Sequence, residues 1–167
     1  MKFSCNRAMG LLVISSAFLL AATSCKKSNS SNPTGSMSAS VNGSAWASSI
    51  PTVGLYSIAA GEFEVEGGQI KSGDSTALAL AFFTPFAVNR AFSSDTAFVD
   101  VGYIDSHTLN EYDGGNIAGH SVVTVTSYDS TGKKIAGTFS GVLYNISGGS
   151  DSLVITGGVF NSTYTAQ

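Results

Sequence analysis

Cysteine is almost missing from this chain. Its 167 residues include two, Cys5 and Cys25, and a sequence so short of thiols cannot build a disulfide framework. Bases are scarce as well: eight Lys and Arg stand against eleven Asp and Glu, for a formal net charge of −3. Past residue 27 only Lys71, Arg90, Lys133 and Lys134 remain. Four bases cannot neutralise a run of phosphates, so nucleic acid is excluded as a partner. No segment places apolar residues at helical spacing between caps. No apolar run approaches the roughly 20 residues of a membrane-spanning helix. Catalytic signatures are missing too. There is no Gly-x-Ser-x-Gly elbow, no Gly-rich phosphate loop, no His-x-x-x-His or Cys-x-x-Cys metal spacing and no Asp-x-Asp-x-Asp-Gly calcium loop. Ser130-Thr131-Gly132-Lys133 has the Ser-x-x-Lys spelling of penicillin-interacting serine enzymes. Its surroundings read as a hairpin turn rather than a helix start.

What is present begins with Lys2 and Arg7 ahead of an apolar run over residues 8–22, the charged and oily parts of a secretory signal. The run ends in Ala22-Thr23-Ser24-Cys25, which resembles a bacterial lipobox. That resemblance implies that Cys25 is diacylated and becomes the new N-terminus. Residues 1–24 are therefore expected to be a lipoprotein signal peptide, 25–36 the lipidated cysteine with a flexible tether, and 37–167 the folded domain. Cleavage would leave 143 residues and, with Lys2 and Arg7 gone, a charge of −5. It would also remove Cys5 and leave Cys25 without a disulfide partner. Two or more acyl chains make a stable membrane anchor where one does not. The Ser- and Asn-rich stretch after Cys25 has too little apolar surface to fold.

The remainder reads as strand after strand. Asn42-Gly43 sits between two short runs, the signature of a type I′ hairpin. In the segment EFEVEGGQI, Phe63 and Val65 alternate with Glu62, Glu64 and Glu66, which points one face inward and one outward. Further strands are expected from LYSIAA, STALALAFF, DTAFVDVGYI, SVVTVTSYDS, KIAGTFSGVLYNI and SLVITGGVFNSTY, with turns at KSGD and SGGSD. Seven to nine strands separated by turns predict an all-β, antiparallel sandwich, with a β-barrel as the alternative. Trp46, Phe139 and Phe160 are expected core anchors. Gly137, Gly141, Gly157 and Gly158 mark expected bends or bulges.

The combination of SVNGSAW soon after the lipobox, then VTVTSYDSTGKKIAGTFSGVL and a closing VITGGVFNSTY, resembles a family of uncharacterised lipoproteins of Bacteroidota. In that family a Val-Asn-Gly-x-x-Trp hairpin opens the domain and Gly-Thr-Phe-Ser and Gly-x-Phe-Asn strands close it. The resemblance implies an envelope lipoprotein with no assigned activity. It brings a location and a fold, and no catalytic residue or cofactor. Surface-exported lipoproteins of that phylum carry acids just after the cysteine. Lys26 and Lys27 stand there instead, so the periplasmic face of the outer membrane is favoured over the cell surface. Asp-Ser/Thr pairs at Ser75, Thr96, Ser130 and Ser152 resemble O-glycosylation acceptors, and they also suit Asx turns.

Chemistry, where any is present, is expected in the loop from Asp105 to His120. It holds His107 and His120 with Asp105, Glu111 and Asp113, all metal-ligand types, and Tyr103 and Tyr112 lie beside it. Glu62, Glu64 and Glu66 stand about 7 Å apart in a strand, near the separation of an inverting glycosidase pair. A row of acids on an alternating strand reads first as a solvated face. Two classes of function follow: a non-catalytic module that binds a glycan, peptide or envelope protein, and a structural lipoprotein held to the membrane by its lipid. A metal-dependent hydrolase using the 105–120 loop comes third. Tyr128, Tyr144 and Tyr164 can face either way.

Overall fold

The computed structural model describes residues 35–72, 74–115 and 119–167. The signal segment, Cys25 with Lys26 and Lys27, and the tether up to residue 34 lie outside the described residues. The first described strand begins at Ser36, which the sequence had assigned to the tether.

Asn42 and Gly43 carry φ angles of 48° and 81°, the paired positive values of a type I′ turn. They join β1 (Ser36–Val41) to β2 (Ser44–Ala47). Nine more strands follow: β3 (Val53–Ser57), β4 (Glu62–Lys71), β5 (Asp74–Phe83), β6 (Ala91–Ser93), β7 (Val99–Asp105), β8 (Asn110–Asp113), β9 (His120–Asp129), β10 (Lys134–Asn145) and β11 (Ser152–Ala166). The fold is all-β, and strands are the regular elements of the described residues. Alternation produces them as expected. Phe63 and Val65 are fully buried while the three flanking glutamates are half-buried.

The strands form one mixed sheet in the order β2-β1-β11-β3-β4-β5-β7-β8-β10-β9-β6, with β10 also paired to β11. That extra ladder closes a circuit through β3, β4, β5, β7, β8, β10 and β11. The sheet folds into two layers joined along both sides. One junction is the parallel pairing of β3 with the last residues of β11, Val53 to Thr163 through Tyr56 to Ala166. The other is the short contact of β8 with the end of β10, Tyr112 to Asn145 and Asp113 to Tyr144. Expected as wholly antiparallel, the sheet contains this one parallel pair. The upper half of β11's edge is already taken by β1, and β3 completes the rest in the direction its connection allows.

β11 pairs with β1 along one edge and with β10 along the other, and it contains a bulge. On either side, three residues of the neighbour face four of β11, Ser38–Ser40 on β1 and Phe139–Gly141 on β10. Gly157 sits at the extra position with φ 60°, the left-handed geometry glycine adopts without strain. Trp46, Phe139 and Phe160 join the buried core with residues from both layers. The indole Nε1 of Trp46 donates to Thr76 Oγ1 at 2.8 Å, tying β2 of one layer to β5 of the other. Among the described residues, the ladders and the buried core lie within residues 36–166.

Two strands were not expected. β6 has three residues and β8 four, lengths at which no periodicity can declare itself.

Candidate functional site

The segment from Asp105 to His120 is not one long loop. β7 turns through residues 106–109 into β8, whose Tyr112 is buried in the core beside Tyr103, ring centroids 6.2 Å apart. The Tyr112 hydroxyl donates to Asp151 Oδ2 at 2.6 Å, and Asn145 Nδ2 donates to Asp151 Oδ1 at 2.9 Å. The Tyr112 bond first and the Asn145 bond second hold the Asp151 carboxyl below its ordinary pKa, and the bond to Asp151 raises that of the Tyr112 phenol. Composition hid the strand: Asn, Asp, Glu and Tyr between glycines look like a solvated loop, and pairing with β7 and β10 overrides that.

The candidate ligands are divided rather than gathered. His107 Nδ1 lies 3.1 Å from Asp74 at the β4–β5 turn, and His120 Nδ1 lies 3.0 Å from Asp95 after β6. Both pairs are largely exposed. Asp105 Oδ1 accepts the His107 backbone N–H at 2.9 Å, closing the turn locally. Glu111 and Asp113 point outward from β8. Among the described residues no three His, Cys, Asp or Glu side chains are placed to hold one metal ion.

A closer pair of acids was missed by the sequence reading. Asp100 on β7 and Asp113 on β8 both accept the backbone N–H of Gly115, at 2.9 and 2.7 Å. Burial, then the neighbouring Asp113 charge, pushes the Asp100 carboxyl up to about 6, against the opposing bonds from Gly115, Gly114 and Val101. Its sequence signal was weak. Asp100 occupies one outward position between Val99 and Val101, and its partner lies thirteen residues on.

Register gathers six acids on the outer face of β3, β4, β5, β7 and β8. Glu64 is opposite Ala81, which is opposite Asp100; Glu66 is opposite Ala79, then Gly102, then Asp113. A strip of Ala77, Ala79 and Ala81 thus runs between Glu62, Glu64 and Glu66 on one side and Asp100, Asp113 and Glu111 on the other. Burial first and Glu64 second raise the pKa of both Glu62 and Glu66. Glu62 Oε1 is buried with no hydrogen-bond partner among the described residues. It borders a shallow recess lined by Leu55, Ser57, Glu64 and Gln167. This small recess on a sheet face differs from the enclosed cleft that a glycosidase acid requires.

The opposite outer face, from β2 across β1, β11 and β10 to β9, carries Ala45, Ser38, Ser40, Thr156, Val159, Thr138, Ser140 and Thr124. Of the candidate modification positions, Ser75 is half-buried and bonded to Ser106, while Thr96, Ser130 and Ser152 are exposed. Asp129 Oδ1 accepts the N–H groups of Thr131 and Gly132 at 2.9 and 2.8 Å. This is the Asx geometry expected at that turn, and the Ser-x-x-Lys spelling falls inside it. Tyr164 is buried, and Tyr128 and Tyr144 are each a little over a third exposed.

These features define an all-β domain with one acidic outer face and one outer face dominated by Ser, Thr, Ala and Val. Comparison with protein-family models, curated proteins and solved structures finds no match in any of the three.

Proposed function

We propose that the chain is a lipoprotein of the bacterial envelope. Lipid on Cys25 holds it at the periplasmic face of the outer membrane, and its β-domain binds or braces other envelope components without catalysing a reaction. The observation that carries this reading is Ala22-Thr23-Ser24-Cys25 at the end of a signal-like segment, with no second cysteine after it. The likeness of SVNGSAW and VITGGVFNSTY to the Bacteroidota lipoproteins supports the same reading. The site geometry is compatible with it: each histidine is engaged by its own surface carboxylate, and Tyr103 and Tyr112 serve packing. Growth with a clickable fatty acid tests the anchor. The wild type becomes labelled and Cys25→Ala does not; labelling that persists in Cys25→Ala overturns the anchor. Protease shaving of intact cells tests the face, since rapid loss of the domain would mean surface display.

One observation favours a peptide-binding accessory role over a glycan-binding one. The alanine strip between two acidic rows suits an extended chain of opposite charge, whereas sugars are met by exposed aromatic planes. Crosslinking in the native envelope followed by capture separates the two: basic peptides or proteins support the first, glycans the second.

A further inference from the structure

The four bases of the domain are not spread evenly. Antiparallel register brings the start of β4, the end of β5, the end of β9, the start of β10 and the end of β11 to one end of the fold, through Glu62–Phe83, Asp129–Lys134, Lys134–Thr163 and Tyr56–Ala166. The β3–β4 turn hangs here, with Ile58 N donating to Gln167 O at 2.9 Å. The segment between β5 and β6 crosses the same end: Thr84 N bonds Gly61 O at 2.7 Å and Asn89 N bonds Val125 O at 2.7 Å. Phe86 from that segment plugs the opening, its ring 5.6 Å from Phe63 and 5.3 Å from Tyr128.

Around this plug the surface is both apolar and basic. Ile58 is 65% exposed, Val88 45% and Tyr128 39%. Arg90, Lys133 and Lys134 are exposed beside them. Three of the four bases after residue 27 therefore stand at this end, with Glu62, Asp129 and, through the Phe82–Val99 pairing, Asp100 as acids in the same segments. The other eight acids, against Lys71 alone, lie elsewhere. β1 runs away from this end, since Ser36 pairs with Asn161 and Val41 with Ile155. Gly35 O accepts the Thr52 N–H beside the β3 start, so the chain enters the fold from this end. Gly35 follows Cys25 by ten residues, a reach of at most about 35 Å when fully extended.

We infer that this end of the domain, built from Ile58, Val88, Arg90, Tyr128, Lys133 and Lys134, docks onto an anionic lipid surface, with the acidic outer face held away from the headgroups. The inference rests on the lipid-anchor reading, which places the bilayer within reach of Gly35. Two physical effects act together. Basic side chains are drawn to anionic headgroups within a Debye length, and Tyr with short aliphatic side chains suits the headgroup boundary. The charge asymmetry sets the orientation, because turning the domain over would bring its acids against a surface of their own sign. Lys133, whose Nζ lies 5.5 Å from the Tyr164 ring centroid, can extend from that ring to a phosphate.

The test couples the chain from Cys25 onward through its thiol to a maleimide lipid in vesicles, so that the outcome does not depend on whether cells lipidate it. Fatty-acid labelling in cells judges that separately. Amide exchange is compared on phosphatidylcholine and on phosphatidylcholine with phosphatidylglycerol. Slowed exchange in residues 57–61, 84–90 and 129–133 on the anionic vesicles, with 106–109 and 146–150 unchanged, is the expected result. Arg90→Glu, Lys133→Glu and Lys134→Glu together should remove it, and without the coupled lipid should lower vesicle binding roughly tenfold or more at low salt. Ile58→Ser with Val88→Ser, which touches no core position, should weaken protection while leaving its salt dependence. Protection at the opposite end, on the acidic face or nowhere overturns the proposal, as does protection that survives charge reversal. Binding of an acidic protein to these loops in the absence of any vesicle effect would assign the surface to a protein partner and would equally overturn it.

Discussion

Tyr164 donates its hydroxyl to the hydroxyl of Tyr128 at 3.1 Å while the two rings stack 14° from parallel, 6.0 Å between centroids. The pair joins β11 to β9 at the basic end and leads into a pile of rings. Phe63 is edge-on to Tyr164 at 5.1 Å and stacked with Tyr56 at 4.4 Å and Phe82 at 5.7 Å. Burial raises the Tyr164 phenol above its ordinary range, and the bond to Tyr128 adds to this.

Two substitutions separate the hydroxyl from the pile. Tyr164→Phe deletes one hydrogen bond whose other partner reaches water, and should cost about 1 kcal/mol. Phe63→Ala removes the ring at the centre of the pile and should cost about 3–5 kcal/mol. Urea unfolding of the two variants gives the comparison. Equal losses would show that the hydroxyl bond, not ring packing, holds this end.

The bond from Trp46 Nε1 to Thr76 Oγ1 predicts a loss out of proportion to the atoms changed. Trp46 is 5% exposed, so Thr76→Val leaves a buried indole N–H without an acceptor. That should destabilise by about 1–3 kcal/mol although volume is nearly unchanged. The chain has a single tryptophan, so its emission reports both the local change and the unfolding transition. Thr76→Ser, which keeps the acceptor, should retain most of the stability.

Glycines separate space from dihedral angle. A Cβ on Gly137 would lie 2.3 Å from Thr124 O and 2.6 Å from the Phe160 ring. Gly137→Ala should therefore force β9, β10 and the core apart, at a cost of about 3 kcal/mol or more. A Cβ on Gly43 meets nothing within 4 Å, yet φ is +81°. Gly43→Ala should cost about 1 kcal/mol through the turn angle alone. Thermal unfolding of both variants distinguishes the two penalties.

Much of the fold was legible because its long strands alternate cleanly. In β4, β5, β9 and β10 the buried positions recur every second residue over most of each strand, and Asn42-Gly43 names its own turn. The Asp105–His120 region was misread for a physical reason. β8 exists because Tyr112 packs beside Tyr103 and its backbone pairs with β7 and β10, and those partners are brought near only by the closed circuit of strands. The Asp100–Asp113 pair was hidden in the same way: two acids thirteen residues apart become neighbours across one ladder. His107 and His120, close in sequence, end up on different carboxylates for the converse reason. The bulge at Gly157 was foreseeable from Gly157-Gly158 in an otherwise β-branched strand.

The burial of Asp100 beside Asp113 predicts how stability responds to pH. In the unfolded chain the Asp100 carboxyl has the ordinary value near 3.8, and in the fold burial pushes it up to about 6. Between those values the folded state holds a proton that the unfolded state has lost, so stability falls as pH rises from about 4 to 6. Below about 4 the full contribution is present, and above 6 it is gone. Glu62 and Glu66, both raised by burial, act with the same sign. Asp100→Asn keeps an oxygen for the Gly115 N–H and removes the charge facing Asp113. At pH 7 it should be more stable than wild type by on the order of 2 kcal/mol, with the gap closing as pH approaches 4. Urea midpoints followed by Trp46 emission across that range give the answer. A variant less stable than wild type at pH 7, or a gap independent of pH, would mean that the Asp100–Asp113 repulsion is relieved in the fold by something other than a proton.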